Sequence, residues 1–241
     1  MSNTDSLYIV IPAYNEEENI SAIVSDWHPV VSEIGNGSKL VVVDDGSKDS
    51  TYSKLVALQS DYPCLTVLSK PNSGHGATCI YAYKYAIENH ADYIFQTDSD
   101  GQTTASEFGI FWENRQQYDF QIGKRINRED GKSRVFVTNV LRIVLWLVFG
   151  ENIADANTPF RLMKAARLGA ILKVVPNDSF LSNVLISVIA VRWKERCIWR
   201  PITFKARQAG ESFIKLKKIV KIGWKALKDF REINSALKRV K

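Results

Sequence analysis

The chain is poor in the residues that staple or metallate small proteins. It has three cysteines, Cys64, Cys79 and Cys197, in 241 residues. They are odd in number and lack CxxC spacing, so they read as reduced interior thiols of a cytoplasmic protein. The histidines, His28, His75 and His90, are scattered, which argues against a zinc site. No apolar run reaches the roughly 18 residues of a membrane span. Residues 140–149 are interrupted by Arg142, and residues 180–193 are too short. The start, Met1 to Asp5, is polar, so no secretory signal is expected there. Repeats and low-complexity segments are absent too.

What is present is ordinary in amount and particular in order. A length of 241 residues, 45% hydrophobic and 24% charged, suits one α/β domain or two small ones, with a real core. A net charge of +6 admits nucleic acid, anionic lipid or phosphorylated small molecules as partners and selects none of them. Leu7 to Ile11 is a β-rich run stopped by Pro12, and Asn15 then reads as a helix cap, with Glu16, Glu17 and Glu18 in the first turn. Ile20, Ile23, Val24 and Trp27 give that helix its apolar face. Strands are expected at residues 39–43, 65–68, 93–96 and 120–125, with helices at 49–60 and from 77 through Ile87. Strands alternating with helices at this spacing imply a parallel sheet with crossover helices, and such sheets bind ligands beyond the carboxyl ends of their strands.

Those ends carry polar clusters: Pro12 to Glu16, Asp44 to Ser47, and Asp98-Ser99-Asp100-Gly101-Gln102. Two carboxylates one residue apart on a strand end, with Gln102 adding a third oxygen, suit a hard cation such as Mg²⁺ or Mn²⁺. Such a cation would neutralise a departing diphosphate. Pro12, Tyr14, Glu16 and Asp45 offer a surface and hydrogen-bonding edge for a base and ribose. Gly74 and Gly76 open a helix, and no Gly-Lys-Ser/Thr follows to make a P-loop; Cys79 stands where a dinucleotide fingerprint needs its third glycine.

Val10-Ile11-Pro12-Ala13-Tyr14-Asn15-Glu16-Glu17, residues 43–51 (Val-Asp-Asp-Gly-Ser-Lys-Asp-Ser-Thr), Asn72-Ser73-Gly74-His75-Gly76-Ala77 and residues 98–102 stand in the order and spacing of family 2 glycosyltransferases. The chain most resembles their dolichol-phosphate mannosyltransferase and polyprenyl-phosphate glycosyltransferase branch. The resemblance extends through Asp155-Ala156-Asn157-Thr158-Pro159-Phe160-Arg161-Leu162-Met163 to residues 207–212. It implies a GT-A fold over residues 1–212, with a nucleotide-sugar-binding half (1–103) and an acceptor half (104–212). It also implies that Pro12, Tyr14, Glu16, Asp45, Asp98 and Ser99 hold a GDP- or UDP-sugar, that Asp98, Asp100 and Gln102 surround Mg²⁺ or Mn²⁺, and that the anomeric carbon inverts in one displacement.

For the acceptor, Arg125 at the end of the 120–125 strand matches a position near the acceptor phosphate in that branch. Arg134 and Arg207 are further candidates, since guanidinium suits bidentate phosphate binding. Asp155 is either a general base or an orienting partner for Arg161 and the acceptor loop. A hydroxyl acceptor needs a base, whereas a lipid phosphate oxygen is already an anion. With Asp100, Arg125 and Asp155 form the catalytic expectation. Pro159 stands where the family commonly has glycine, and residues 177–183 lack the acid and aromatics of mannosyl enzymes, so sugar and lipid stay open.

Residues 213–241 carry apolar positions at helical spacing, including Leu216, Val220 and Trp224, among many lysines. That is the pattern of a basic amphipathic helix on a membrane surface, and residues 140–149 are a second candidate contact. The sum is a metal-dependent, inverting glycosyltransferase acting on a polyprenyl- or dolichyl-phosphate or lipid-linked glycan, peripheral at the inner membrane face, alone, as a homodimer or with a separate membrane subunit. Transfer to a hydroxyl of a soluble glycan or polysaccharide precursor is the alternative. A sugar-phosphate nucleotidyltransferase would want a basic Gly-rich loop where Tyr14-Asn15-Glu16 stand. A non-catalytic module binding membrane or nucleic acid is the other class, and the acidic rim opposes nucleic acid.

Overall fold

The structure, a computed structural model, describes residues 4–126, 132–205, 230 and 234, with backbone alone for 132–137 and 139. The β-rich runs form β1 (Leu7–Ala13), β2 (Lys39–Asp44), β3 (Leu65–Ser69) and β4 (Tyr93–Gln96), joined by helices α1 (Ile20–Ile34), α2 (Thr51–Leu58) and α3 (His75–Glu88). A 3₁₀ turn and the short α4 (Gly109–Glu113) lead into β5 (Phe120–Ile126), which is followed by α5 (Lys132–Phe149). β6 (Arg161–Lys164), α6 (Ala165–Leu172), α7 (Ser182–Arg192) and β7 (Cys197–Thr203) complete the described elements.

One seven-stranded sheet runs through the molecule in the order β3-β2-β1-β4-β6-β5-β7. β1 pairs parallel with β2 and β4, β2 with β3, and β5 with β7. β6 alone is reversed, antiparallel to both β4 and β5. The sheet is covered on both faces, which is why β1 is buried along its whole length. Tyr8 and Val10 face the layer containing α3, α6 and α7, while Leu7, Ile9 and Ile11 face α1 and its Trp27. The apolar run at 180–193 becomes α7, in which every residue from Ser182 to Ala190 is buried. A helix apolar on all sides is a core element, and here it is one.

The expected cap at Asn15 is displaced. α1 begins only at Ile20, behind a turn in which Asn19 and Ile20 donate to Glu16 O. Asn15 sits at φ 53°, left-handed rather than capping. Its N–H donates to Ser47 Oγ at 3.0 Å and its Oδ1 accepts from Lys48 N at 2.8 Å. The tertiary link between the β1 and β2 loops therefore claims the side chain that a local reading gives to the helix.

Among the described residues no helix is long and apolar enough to cross a membrane. The expected helix at 213–241 lies outside the described residues, save that Phe230 packs on Phe149 at 5.6 Å and Asn234 Nδ2 donates to Val148 O at 2.7 Å.

Candidate active site

Parallel pairing brings the carboxyl ends of β1, β2 and β4 to one rim, with Ala13 opposite Asp44 and Gln96 opposite Val10. Because β6 reverses twice over, β5 points the same way as β4, so Arg125 arrives at that rim as well. β7 follows β5, and Lys205 beyond it exchanges backbone hydrogen bonds with the acidic turn: its N–H donates to Gln102 O at 2.9 Å, and Gln102 Nε2 donates to Lys205 O at 2.8 Å.

The turn itself is tightly built. Ser99 is buried and donates to Pro12 O at 3.0 Å, tying β4's end to β1's. Gly101 takes φ 71°, and Asp100 Oδ1 accepts from Gln102 N at 3.2 Å, closing an Asx turn. Asp98 Oδ1 accepts from His75 Nε2 at 2.9 Å and from Gln96 Nε2 at 3.3 Å. Burial works to raise the Asp98 carboxyl, but His75 and Gln96 beside it and Arg125 nearby outweigh that, and its pKa lies below the ordinary carboxylate value.

Among the described residues no three His, Cys, Asp or Glu side chains form a metal cage. Two carboxylates one residue apart at a strand end, Asp98 and Asp100, fit Mg²⁺ or Mn²⁺, which take few protein ligands and complete their shells with water and phosphate oxygens.

At the end of β2, Asp45 is already committed. Its carboxylate is buried, paired with Lys70, and accepts from the N–H groups of Ser73 and Gly74 at 2.9 Å each. It thereby fixes the loop that opens α3 beside the rim. Glu16 is buried and its Oε2 accepts from Asn19 Nδ2 at 2.7 Å, while its own N–H donates to Thr51 Oγ1 at 2.8 Å. Tyr14 is half-buried on the same loop.

At the end of β5, Asp155 grips Arg125 rather than Arg161. Arg125 Nε donates to Asp155 Oδ2 at 2.8 Å and Nη2 to Oδ1 at 2.9 Å, a bidentate fork. The guanidinium also lies 5.0 Å from the Phe204 ring. Arg161 is fully buried, and its donors go to the carbonyls of Ala156, Thr158 and Asn183. The side chain of Arg134, at the start of α5, and all of Arg207 fall outside the described residues.

Two participants escaped the sequence reading. His75 reads as one of three scattered histidines, yet it touches Asp98; nothing in its local pattern indicates a contact 23 residues away. Lys70, one residue beyond β3, is the counter-ion of Asp45. Only the pairing of β2 with β3, which sets Asp44 opposite Ser69 and so brings the next residues of both strands together, could have suggested it.

Comparison with known proteins agrees on the fold. A family model described as Glycosyl transferase family 2 matches residues 8–166. An undecaprenyl-phosphate mannosyltransferase of Micrococcus luteus is 26% identical over 212 residues, covering 84% of this chain and 85% of the relative. An undecaprenyl-phosphate 4-deoxy-4-formamido-L-arabinose transferase of Pectobacterium atrosepticum is 24% identical over 217 residues, 89% of this chain, which spans 64% of that relative's length. Among solved structures, glucosyl-3-phosphoglycerate synthase from Mycobacterium tuberculosis in complex with Mn²⁺, UDP and glucosyl-3-phosphoglycerate superposes with TM-score 0.69 at 15% identity, covering 96% of this chain and 80% of that one.

Proposed function

The chain belongs to glycosyl transferase family 2 and is a glycosyltransferase of GT-A fold, and from that premise we propose that it moves a sugar from a nucleotide diphosphate donor to a membrane-lipid phosphate. The observation that carries the acceptor class is the Arg125–Asp155 fork. It presents a fixed guanidinium at the rim, close enough to Asp98 to lower its pKa. A carboxylate spent on two guanidinium donors is poorly placed to remove a proton. A phosphate oxygen, already anionic, needs no base. Asp155 thus acts through Arg125, and Arg125 meets the acceptor phosphate.

The donor lies across the β1 and β4 ends, with Pro12 and Tyr14 toward the base and Asp98 and Asp100 toward the diphosphate. Asp45 contributes by shaping the 70–74 loop. Asp98 and Asp100 would hold a divalent cation, which would neutralise charge on the leaving diphosphate. Attack opposite the diphosphate then inverts the anomeric carbon. Relatives named for undecaprenyl phosphate support the lipid class, and a neighbour solved with UDP and Mn²⁺ supports UDP and a divalent metal.

The protein reaches its acceptor as a peripheral enzyme. α5 follows β5 and Arg125 directly. Its Leu145 and Phe149 are in the core, while Ile143, Trp146 and Leu147 stand 58%, 58% and 69% exposed beside Arg142. Such a face suits the lipid surface. The test offers radiolabelled UDP- and GDP-hexoses with Mn²⁺ and undecaprenyl phosphate, or undecaprenol as control. Transfer to the phosphate alone is expected, and Asp100→Ala abolishes it with the circular dichroism spectrum unchanged. Transfer to the alcohol, or normal turnover by Asp100→Ala, rejects the proposal.

A further inference from the structure

A chain of buried polar side chains runs beneath the acidic turn, and the reaction as described makes no use of it. Gln96 ends β4, whose other residues are Tyr93, Ile94 and Phe95, and it is fully buried. A buried amide is costly unless both its ends are hydrogen-bonded. Here Nε2 donates to Asp98 Oδ1 at 3.3 Å, and Oε1 accepts from the Tyr83 hydroxyl at 2.5 Å. Tyr83, on α3, is itself fully buried, and its hydroxyl also lies 3.1 Å from the Asn183 amide on α7. The main-chain carbonyl of Asn183 accepts from Arg161 Nη1 at 3.0 Å, and Arg161 stands directly opposite Gln96 in the β4–β6 ladder. Arg161 in turn holds the Ala156 and Thr158 carbonyls next to Asp155.

We propose that Gln96 and Tyr83 are positioning residues of the donor site: Tyr83 orients the Gln96 amide, and Gln96 fixes the Asp98 carboxylate from below the sheet rim. This rests on the assignment of Asp98 to the metal–diphosphate site. His75 approaches the same oxygen, Oδ1, from α3. Two donors from different elements therefore converge on one oxygen and set the rotation of the carboxylate, turning Oδ2 to the ligand. Apolar side chains of the same size would fill both positions without a polar network to satisfy. At its rim end the network terminates on a site carboxylate, Asp98. Partners behind a ligating carboxylate tune metal affinity through its orientation.

The test uses the full chain with Mn²⁺ binding followed by electron paramagnetic resonance, in the presence of UDP and separately of GDP. Donor KM and kcat are measured alongside. Gln96→Met keeps the volume and removes the donor to Asp98. It is expected to raise the Mn²⁺ dissociation constant about tenfold, raise donor KM, and leave kcat within about threefold. Tyr83→Phe removes a single oxygen, is the variant that keeps the fold should Gln96→Met fail to express, and shifts Mn²⁺ affinity the same way by a smaller factor. The double variant matches Gln96→Met alone, since Tyr83 acts through Gln96. Folded variants that lose only melting temperature, with Mn²⁺ affinity and donor KM unchanged, overturn the proposal. Asp100→Ala separates the two levels: if it binds Mn²⁺ like the wild type, the metal-site assignment itself falls.

Discussion

Gly76 lies directly under the main chain of the segment before α7. A Cβ there would stand 2.1 Å from Ser179 O and 2.6 Å from Phe180 O, both backbone atoms that cannot swing aside. Gly74, two residues earlier, is held at φ 89° with its N–H on Asp45. The pair thus answers two different demands, a left-handed turn and a close approach, and the second one ties the start of α3 to the segment before α7. Gly76→Ala forces residues 179–180 away from α3. We expect a loss of about 2–3 kcal/mol, read by urea denaturation, with raised donor KM. A variant as stable as wild type would mean that the 179–180 backbone yields freely.

At the scale of elements, α5 does two jobs on two faces. Leu145 and Phe149 are buried in the core, while Val140, Ile143, Trp146 and Leu147 repeat along the outer face at helical spacing. Exposed apolar residues in such a row form one contiguous apolar strip rather than isolated surface hydrophobics. The double variant Trp146→Ser with Leu147→Ser should lose about tenfold or more in affinity for vesicles containing anionic phospholipid. Full burial of each side chain is worth about 1.5–3 kcal/mol, and these are only partly buried on binding. The melting temperature should hardly move, because both side chains are already in water. Cosedimentation checks the first outcome and a thermal scan the second; unchanged vesicle binding would remove α5 from the lipid surface. The displaced start of α1 belongs to this scale too. Glu16 to Glu18 look like the acids of a first turn, yet they form the loop between β1 and the helix.

At the scale of the whole molecule, β5, β6 and the segment before β7 are held by charges at the end of the sheet away from the site. Asp119, buried at the start of β5, accepts from Arg196 Nε and Nη2 at 3.0 and 2.8 Å and pairs with Lys164 at 3.1 Å. Hydrogen bonds from Arg196, opposed by burial and helped by Lys164, hold its carboxyl far below the ordinary value. A carboxyl with a folded-state pKa below its unfolded one stabilises the protein above about pH 4, and that contribution is lost as pH falls further. Arg196 is half exposed, so water screens part of the effect. Asp119→Asn should therefore lower the melting temperature at neutral pH and flatten its fall between about pH 5 and pH 2.5. An acid limb as steep as wild type would place the acid sensitivity elsewhere.

The sequence by itself determined the first five strands, their parallel sense in the first half, and the three polar clusters at one rim; β6 and β7 were not legible in it. The physical reason is local. Buried parallel strands need near-continuous apolar runs, and their ends need turn-forming polar residues, so both are written residue by residue. It also singled out Asp98, Asp100, Arg125 and Asp155. Only the tertiary structure decided what those side chains hold. Asp155 takes Arg125 and not Arg161 because β6 reverses between β4 and β5 and buries Arg161 opposite Gln96. Asp45 serves the 70–74 loop because β3 lies beside β2 and delivers Lys70. Asp98 rests on His75 and Gln96 because α3 starts at the rim. A charge or amide removed from water takes whichever partner the packing brings within 3 Å or so, and chain order does not encode that choice.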